Sequence, residues 1–219
     1  MAEAGKWRLP SSLVARAALA LGGAAAVFVG LLLAGGPALL PSGGELAART
    51  RALEAIESRI RDEFPDVPQV STEQLAARLE SGERPLLLDV RRSEEYAVSR
   101  LPGALRVEPA GGLPADLEGL DPETPIIAYC SVGYRSSRLV EALREAGFTR
   151  AENLEGSLFR WAQEGRALEA AAGPTGLVHP YGRAWAFLVP EKRRSFRPES
   201  APRPAAGGSA SVPAEEAPP

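Results

Sequence analysis

The sequence predicts an α/β domain, a parallel β-sheet flanked by helices on both faces, preceded by an N-terminal transmembrane helix. Three observations predict it. Short apolar runs alternate with helix-like segments between Val70 and Leu168, and such alternation implies a parallel sheet covered on both sides. Two of the runs, residues 86–90 and 126–129, are almost wholly apolar, the pattern of strands buried from both faces. Residues 17–44 carry no charge at all. The chain divides accordingly into a basic segment (1–16), a transmembrane anchor or signal peptide (17–40), an amphipathic juxtamembrane helix and linker (41–69), the domain (70–168), an aromatic extension (169–194) and a disordered Pro/Ala-rich tail (195–219).

Each element has its own reason. Lys6, Arg8 and Arg16 precede the uncharged run, which is richest over residues 17–36. About 20 apolar residues span a hydrocarbon core of roughly 30 Å as a helix. A cleaved secretory signal has the same order of features. The length of the run, and the lack of an obvious small-residue cleavage site before Pro41, favour an uncleaved anchor. Basic residues before the span favour a cytoplasmic N-terminus, although Arg49, Arg51, Arg59 and Arg61 follow it. Either reading puts the domain on the periplasmic or extracytoplasmic side of a bacterial inner membrane. Leu46, Leu53, Ile56, Ile60 and Phe64 recur at helical spacing. That stripe docks on the domain, spaces it from the bilayer, or forms a homodimer through residues 45–64.

Within the domain, Ser71 with Gln74 reads as a capping box for a helix to Ser81, with Gly82 as its stop. Ser93 is placed to cap a short helix through Val98. Residues 103–107 read as a strand, 108–124 as a loop, 126–129 as a buried strand and 136–146 as a helix stopped by Gly147. Residues 151–154 form a further strand and 157–164 a last helix. After Phe196 the chain holds Pro, Ala, Gly, Ser and Glu with almost no large apolar residue, which buries too little surface to order itself.

Composition excludes several classes of function. A net charge of −3 over 219 residues gives no reason to expect nucleic acid as a partner. One cysteine forbids an internal disulfide, and one histidine forbids a histidine cluster, so neither a metal nor another cofactor is implied.

The one cysteine, Cys130, is the centre of the functional reading. It follows a buried strand and is followed by Ser131, Val132, Gly133, Tyr134, Arg135 and Ser136, then a helix. A free thiol ionises at about 8.5 and is inert until it does. A short loop with Gly133 lets several backbone amides point inward, which makes an anion-binding cup. The next helix aims its positive end at the same point. Arg135 adds a permanent charge. Such a site holds a thiolate and equally a persulfide. A cysteine that merely packs is the ordinary alternative, and the polar, Gly- and Arg-containing loop weakens it.

Three ordered blocks resemble the rhodanese sulfurtransferase family over about residues 70–168. They are Leu88-Asp89-Val90-Arg91 with Glu94-Glu95-Tyr96 and Leu101-Pro102-Gly103-Ala104; the loop from Tyr129 to Ser136; and Asn153-Leu154-Glu155-Gly156 with Trp161 and Gly165. Two departures stand out: Arg100 where the family usually has histidine, and Ser157 where it often has a second glycine. The resemblance implies a rhodanese-like fold and a two-step transfer. Cys130 takes sulfane sulfur from thiosulfate or a persulfide and passes it to a thiophilic acceptor such as a thiol. Ser131, Val132, Gly133, Tyr134, Arg135 and Ser136 hold the substrate, and Arg135 steers the anionic donor. Covalent catalysis by an activated thiolate requires no base.

Other residues stay open at this point. Asp89 either belongs to the site or pairs with Arg91 or Arg92, and the pair is preferred. Tyr134 lines the entrance or covers the loop. Arg138 adds to the field or is a solvated charge. His179 lies in an aromatic extension that packs on the body and either does or does not shape the pocket. Two rival functions remain. A tethered persulfide carrier or sensor would serve one dedicated partner. A cysteine phosphatase or arsenate reductase would need five residues between cysteine and arginine, whereas four, residues 131–134, stand here.

Overall fold

The structure, a computed structural model, describes residues 44–108, 117 and 119–198. The basic segment, the expected anchor and nearly all of the expected tail lie outside the described residues. Among the described residues no helix is long and apolar enough to cross a membrane.

The apolar runs over residues 86–90 and 126–129 do become central strands. In chain order the elements are α1 (Gly44–Glu63), β1 (Gln69–Val70), α2 (Thr72–Glu80), β2 (Leu86–Asp89), α3 (Ser93–Val98), β3 (Leu105–Arg106), β4 (Ile126–Tyr129), α4 (Tyr134–Glu145), β5 (Ala151–Leu154), α5 (Ser157–Gln163), β6 (Leu168–Ala170) and β7 (Gly173–Thr175), followed by 3-10 segments at Arg183–Leu188 and Glu191–Arg193. Five strands form one parallel sheet in the order β1-β5-β4-β2-β3. All four residues of β4 are buried, because the strand lies mid-sheet with a neighbour on each side and helices over both faces. Its register sets Asp89 beside Tyr129, so the C-terminal ends of β2 and β4 open on the same edge. That edge is where parallel sheets carry their chemistry.

The local reasons match the sequence in several places. Ser71 and Gln74 form the reciprocal capping box of α2, with Gln74 N–H donating to Ser71 Oγ at 3.1 Å and Ser71 N–H donating to Gln74 Oε1 at 2.9 Å; such a cap stabilises by about 1 kcal/mol. Gly82, beyond the end of α2, has φ +94°. Elsewhere the structure corrects the reading. Arg92, not Ser93, holds the cap position of α3, and its N–H is received by the Glu95 carboxylate at 3.2 Å. The strand expected over residues 103–107 is only Leu105–Arg106. Helix α4 starts at Tyr134 instead of Ser136, so Arg135 sits on its first turn and not in the loop.

The amphipathic helix expected ahead of the domain forms and docks on the body. Leu53, Ile60 and Phe64 of the α1 stripe and its exit are buried in the common core, each burial being worth roughly 1.5–3 kcal/mol. Most of the stripe thus docks on this chain's own core, with Ile56 partly buried and Leu46 left 56% exposed. Glu57 clamps α1 to α5 through Arg160 with two bonds of 3.0 and 2.9 Å, and Arg61 pairs with Glu155. Gln69–Val70 then adds an edge strand to β5. The extension also packs back, as expected, but it opens with an unforeseen hairpin, β6–β7. Arg100 and Glu169 exchange backbone bonds of 2.9 and 3.0 Å and tie that hairpin to the body. The ordered chain continues past Ser195, where the tail was expected to begin: Ser195 N–H donates to Val178 O at 3.1 Å, and Phe196 lies edge-on to His179.

Candidate active site

Cys130 follows β4 directly and is 1% exposed. The chain leaves the strand in a tight loop and enters α4 through Gly133. That glycine has φ +113°, and a Cβ there would lie 3.3 Å from Asn153 Nδ2. Only glycine adopts this backbone without strain, and the conformation turns its N–H toward the sulfur at 3.2 Å. The amides of Val132 and Ser136 also stabilise the anion. Burial pushes the Cys130 thiol up, yet the Arg135 charge and these three amides outweigh it, leaving the thiol below its ordinary value.

Ser157 explains one departure from the family pattern. It has φ +51°, the left-handed region, where a second glycine would sit comfortably. Its hydroxyl donates to Leu154 O at 2.9 Å and accepts from Cys130 N–H at 3.1 Å. The side chain thus fixes the backbone of the cysteine itself. Gly156, just before it, has no such latitude, because a Cβ would fall 2.2 Å from Glu57 Oε1 and 2.6 Å from Arg160 Cβ. The other departure, Arg100, reaches Glu169 Oε1 at 3.0 Å and stacks over Tyr96 at 4.6 Å; it fastens the extension.

Arg135 is placed differently from the free charge the sequence implied. Nη1 and Nη2 each donate to the Glu95 carboxylate at 3.0 Å, and Nη2 also donates to Ser131 Oγ at 3.1 Å. Ser131 Oγ in turn donates to Glu95 Oε1 at 3.0 Å. Glu95 is 1% exposed. Burial pushes its carboxyl up, and Arg135 with Arg91 pulls it down further, so it stays ionised. Burial disfavours the charged form of Arg135, but the negative charges of Cys130 and Glu95 more than compensate.

The structure brings Cys130, Val132, Gly133, Ser136, Ser131 and Arg135 together, the first four through amides and sulfur and the last two through side chains. It does not bring the Tyr134 side chain to the sulfur. Its hydroxyl donates to Glu63 Oε1 at 2.6 Å and its ring meets Phe64 edge-on at 5.3 Å, so it covers the loop from the α1 side; burial and Glu63 push that phenol up to about 12. Ser136 Oγ turns back to Gly133 O at 3.1 Å and offers the sulfur only its amide. Asp89 is the structural pair partner: Arg91 Nε and Nη2 reach its carboxylate at 2.9–3.1 and 2.6 Å. Glu95 is the residue that sequence reasoning missed as part of the site. Its only signal was its position in the Glu94-Glu95-Tyr96 block, which carried no hint of which arginine it would meet. Among the described residues no group of histidines, cysteines and carboxylates is placed to hold a metal ion.

Residues 71–164 match the family model described as Rhodanese-like domain. A curated sulfurtransferase from Allochromatium vinosum is 31% identical over 107 residues, which is 49% of this chain and 99% of that protein. Among solved structures, a rhodanese-like domain protein from Staphylococcus aureus is similar over 48% of this chain and 98% of its own, with 31% identity and a TM-score of 0.41. An α/β fold with a buried cysteine at the end of a central parallel strand, cupped by a loop leading into a helix, fits this class. The chain belongs to the rhodanese-like family of sulfurtransferases.

Proposed function

We propose that this protein transfers sulfane sulfur from thiosulfate or a persulfide donor to a thiol, with Cys130 as the covalent carrier. The Cys130 thiolate attacks the outer sulfur of thiosulfate. The S–S bond breaks, sulfite departs with the electron pair, and a Cys130 persulfide remains. An acceptor thiolate then attacks the terminal sulfur, and Cys130 leaves as thiolate with the second electron pair, so charge and sulfur balance over the cycle. The Gly133 N–H at 3.2 Å from the sulfur carries this reading, because the amide cup stabilises an anion in the thiolate and in the persulfide alike. Arg135 supplies the positive charge that offsets burial of the anion. Intact-mass measurement after thiosulfate treatment should show one added sulfur, absent in Cys130→Ser; an unmodified wild-type chain would defeat the proposal.

A dedicated persulfide carrier is the second reading. The burial of Cys130, 1% exposed as a residue, favours it, since access is restricted. Steady-state turnover with thiosulfate and cyanide separates the two, because a carrier loads once and then stalls. The uncharged run over residues 17–40 supports a membrane tether that holds the domain outside the cytoplasm. A topology reporter fused after Pro219 that read cytoplasmic would overturn that placement.

A further inference from the structure

Tyr181 lies beyond residue 164, where the family match ends, yet its ring stands on the active-site arginine. The Arg135 guanidinium is 4.9 Å from the ring centroid, and the Arg92 guanidinium is 5.5 Å from it. Arg135 is therefore held along one edge by Glu95 and on one face by Tyr181.

The backbone that delivers the ring is itself unusual. Tyr181 has φ +64°, and Gly182 N–H closes a three-residue turn onto Pro180 O at 2.7 Å. A γ-turn with positive φ at a residue bearing a side chain is strained, and such strain persists only where the surroundings enforce it. They do so here. Tyr181 N–H donates to Nδ1 of His179 at 3.0 Å, and His179 is 5% exposed with its ring edge-on to Phe196 at 5.2 Å. Trp185 meets the Tyr181 ring edge-on at 6.2 Å. The segment is fastened to the body by Gln163 Nε2 donating to Leu188 O at 3.2 Å and Arg49 Nε donating to Phe187 O at 2.9 Å. Burial of the Tyr181 ring itself does not account for the strain, because the residue remains 37% exposed. What the strained turn achieves is the placement of an aromatic face on a guanidinium.

We propose that Tyr181 is a positioning residue for the Cys130 site, fixing the Arg135 guanidinium beside the sulfur, so that the C-terminal extension completes the active site. The ring acts in two ways. Its electron-rich face holds the guanidinium plane at a set tilt against the Glu95 carboxylate. It also removes water from one face of the cation, which strengthens the field that Arg135 exerts on an anion at Cys130. The inference rests on the reading of Cys130 as the sulfur-carrying nucleophile.

The test compares Tyr181→Phe, Tyr181→Leu and Tyr181→Ala in the full chain. The pH dependence of iodoacetamide alkylation reports the Cys130 thiolate whether or not sulfur is ever transferred, and the thiosulfate KM and kcat report catalysis. Tyr181→Leu keeps apolar bulk, so it answers even where Tyr181→Ala fails to fold. Leucine and alanine should shift the alkylation profile to higher pH and raise the thiosulfate KM by about 2- to 30-fold, the span that one guanidinium–aromatic contact supports. Tyr181→Phe should restore both. A leucine variant with the wild-type profile and KM, or a phenylalanine variant as impaired as the leucine one, overturns the proposal. If the wild type takes no sulfur from thiosulfate while leucine still shifts the alkylation profile, the transfer reading fails and the positioning role stands.

Discussion

Two arginines, one buried and one partly exposed, meet buried carboxylates at the C-terminal edge of this sheet, and they do opposite things. Arg91 and Asp89 are both 0% exposed at their side chains, Arg91 Nη2 also donates to Ser99 O at 2.6 Å, and Arg91 Nη1 is buried with no hydrogen-bond partner among the described residues. Beyond Asp89, that guanidinium acts on Tyr129 and on Glu95. Arg135 also grips Glu95 with two bonds, end-on through Nη1 and Nη2 where Arg91 uses Nε and Nη2, but it keeps 29% of its side chain exposed and has a second anion, Cys130, within its field. One guanidinium thus serves two anions. A closed pair neutralises itself and stabilises a corner of the fold, whereas an open one leaves positive potential for a sulfur anion. The difference comes from surroundings and not from residue type, since both are arginine–carboxylate pairs.

Breaking the closed pair should give the largest effect. Asp89→Ala strands a wholly buried guanidinium and should cost about 3–5 kcal/mol, read from the urea midpoint, while the molecules that remain folded still load sulfur. A fall of under 1 kcal/mol would show that the two pairs are not different in kind. Breaking the open pair should do the reverse. Arg135→Ala should lower thiosulfate kcat/KM on the order of a hundredfold, the scale for removing one preorganised donor to an anion, and should raise the pH at which Cys130 alkylates. Its urea midpoint should move less than that of Asp89→Ala, and the opposite ranking would refute the contrast.

The smallest effect sharpens the comparison through pH. The folded thiol of Cys130 titrates below a free cysteine, so between the two values the unfolded chain binds more protons than the folded one. Stability from this group is then fully present above the unfolded pKa and is lost as pH falls through the folded one, at about 1.4 kcal/mol per unit of difference. The stability gap between wild type and Cys130→Ser should widen as pH rises across that window. A gap that is flat or narrows with pH would mean that the amide cup does not favour the anion.

Much of this was legible beforehand, for identifiable reasons. The buried strands read clearly because a strand covered on both faces must be apolar throughout. The capping box at Ser71 and Gln74 read clearly because it is local chemistry between neighbours in sequence. Cys130 and Gly133 read clearly because the cup closes within a few residues. What did not read were contacts across the chain. Glu95 reaches Arg135 over a separation of 40 residues, and Tyr181 arrives from a segment whose turn is set by buried His179. The α1 stripe had the right period for docking but no mark of its partner. Of the outcomes open to it, docking on the domain is the one the structure takes, with Leu53, Ile60 and Phe64 in the common core.

The sequence by itself determined the class of fold and the position of the cysteine that the proposed transfer uses. Both rest on periodicity and short-range spacing, which backbone geometry converts directly into structure. Only the tertiary structure decided which carboxylate holds Arg135, where Tyr134 points and that an appended segment covers the guanidinium. Those outcomes depend on which distant surfaces meet once the apolar faces are buried, and electrostatic roles follow from that meeting because a charge acts according to what lies within a few ångströms of it.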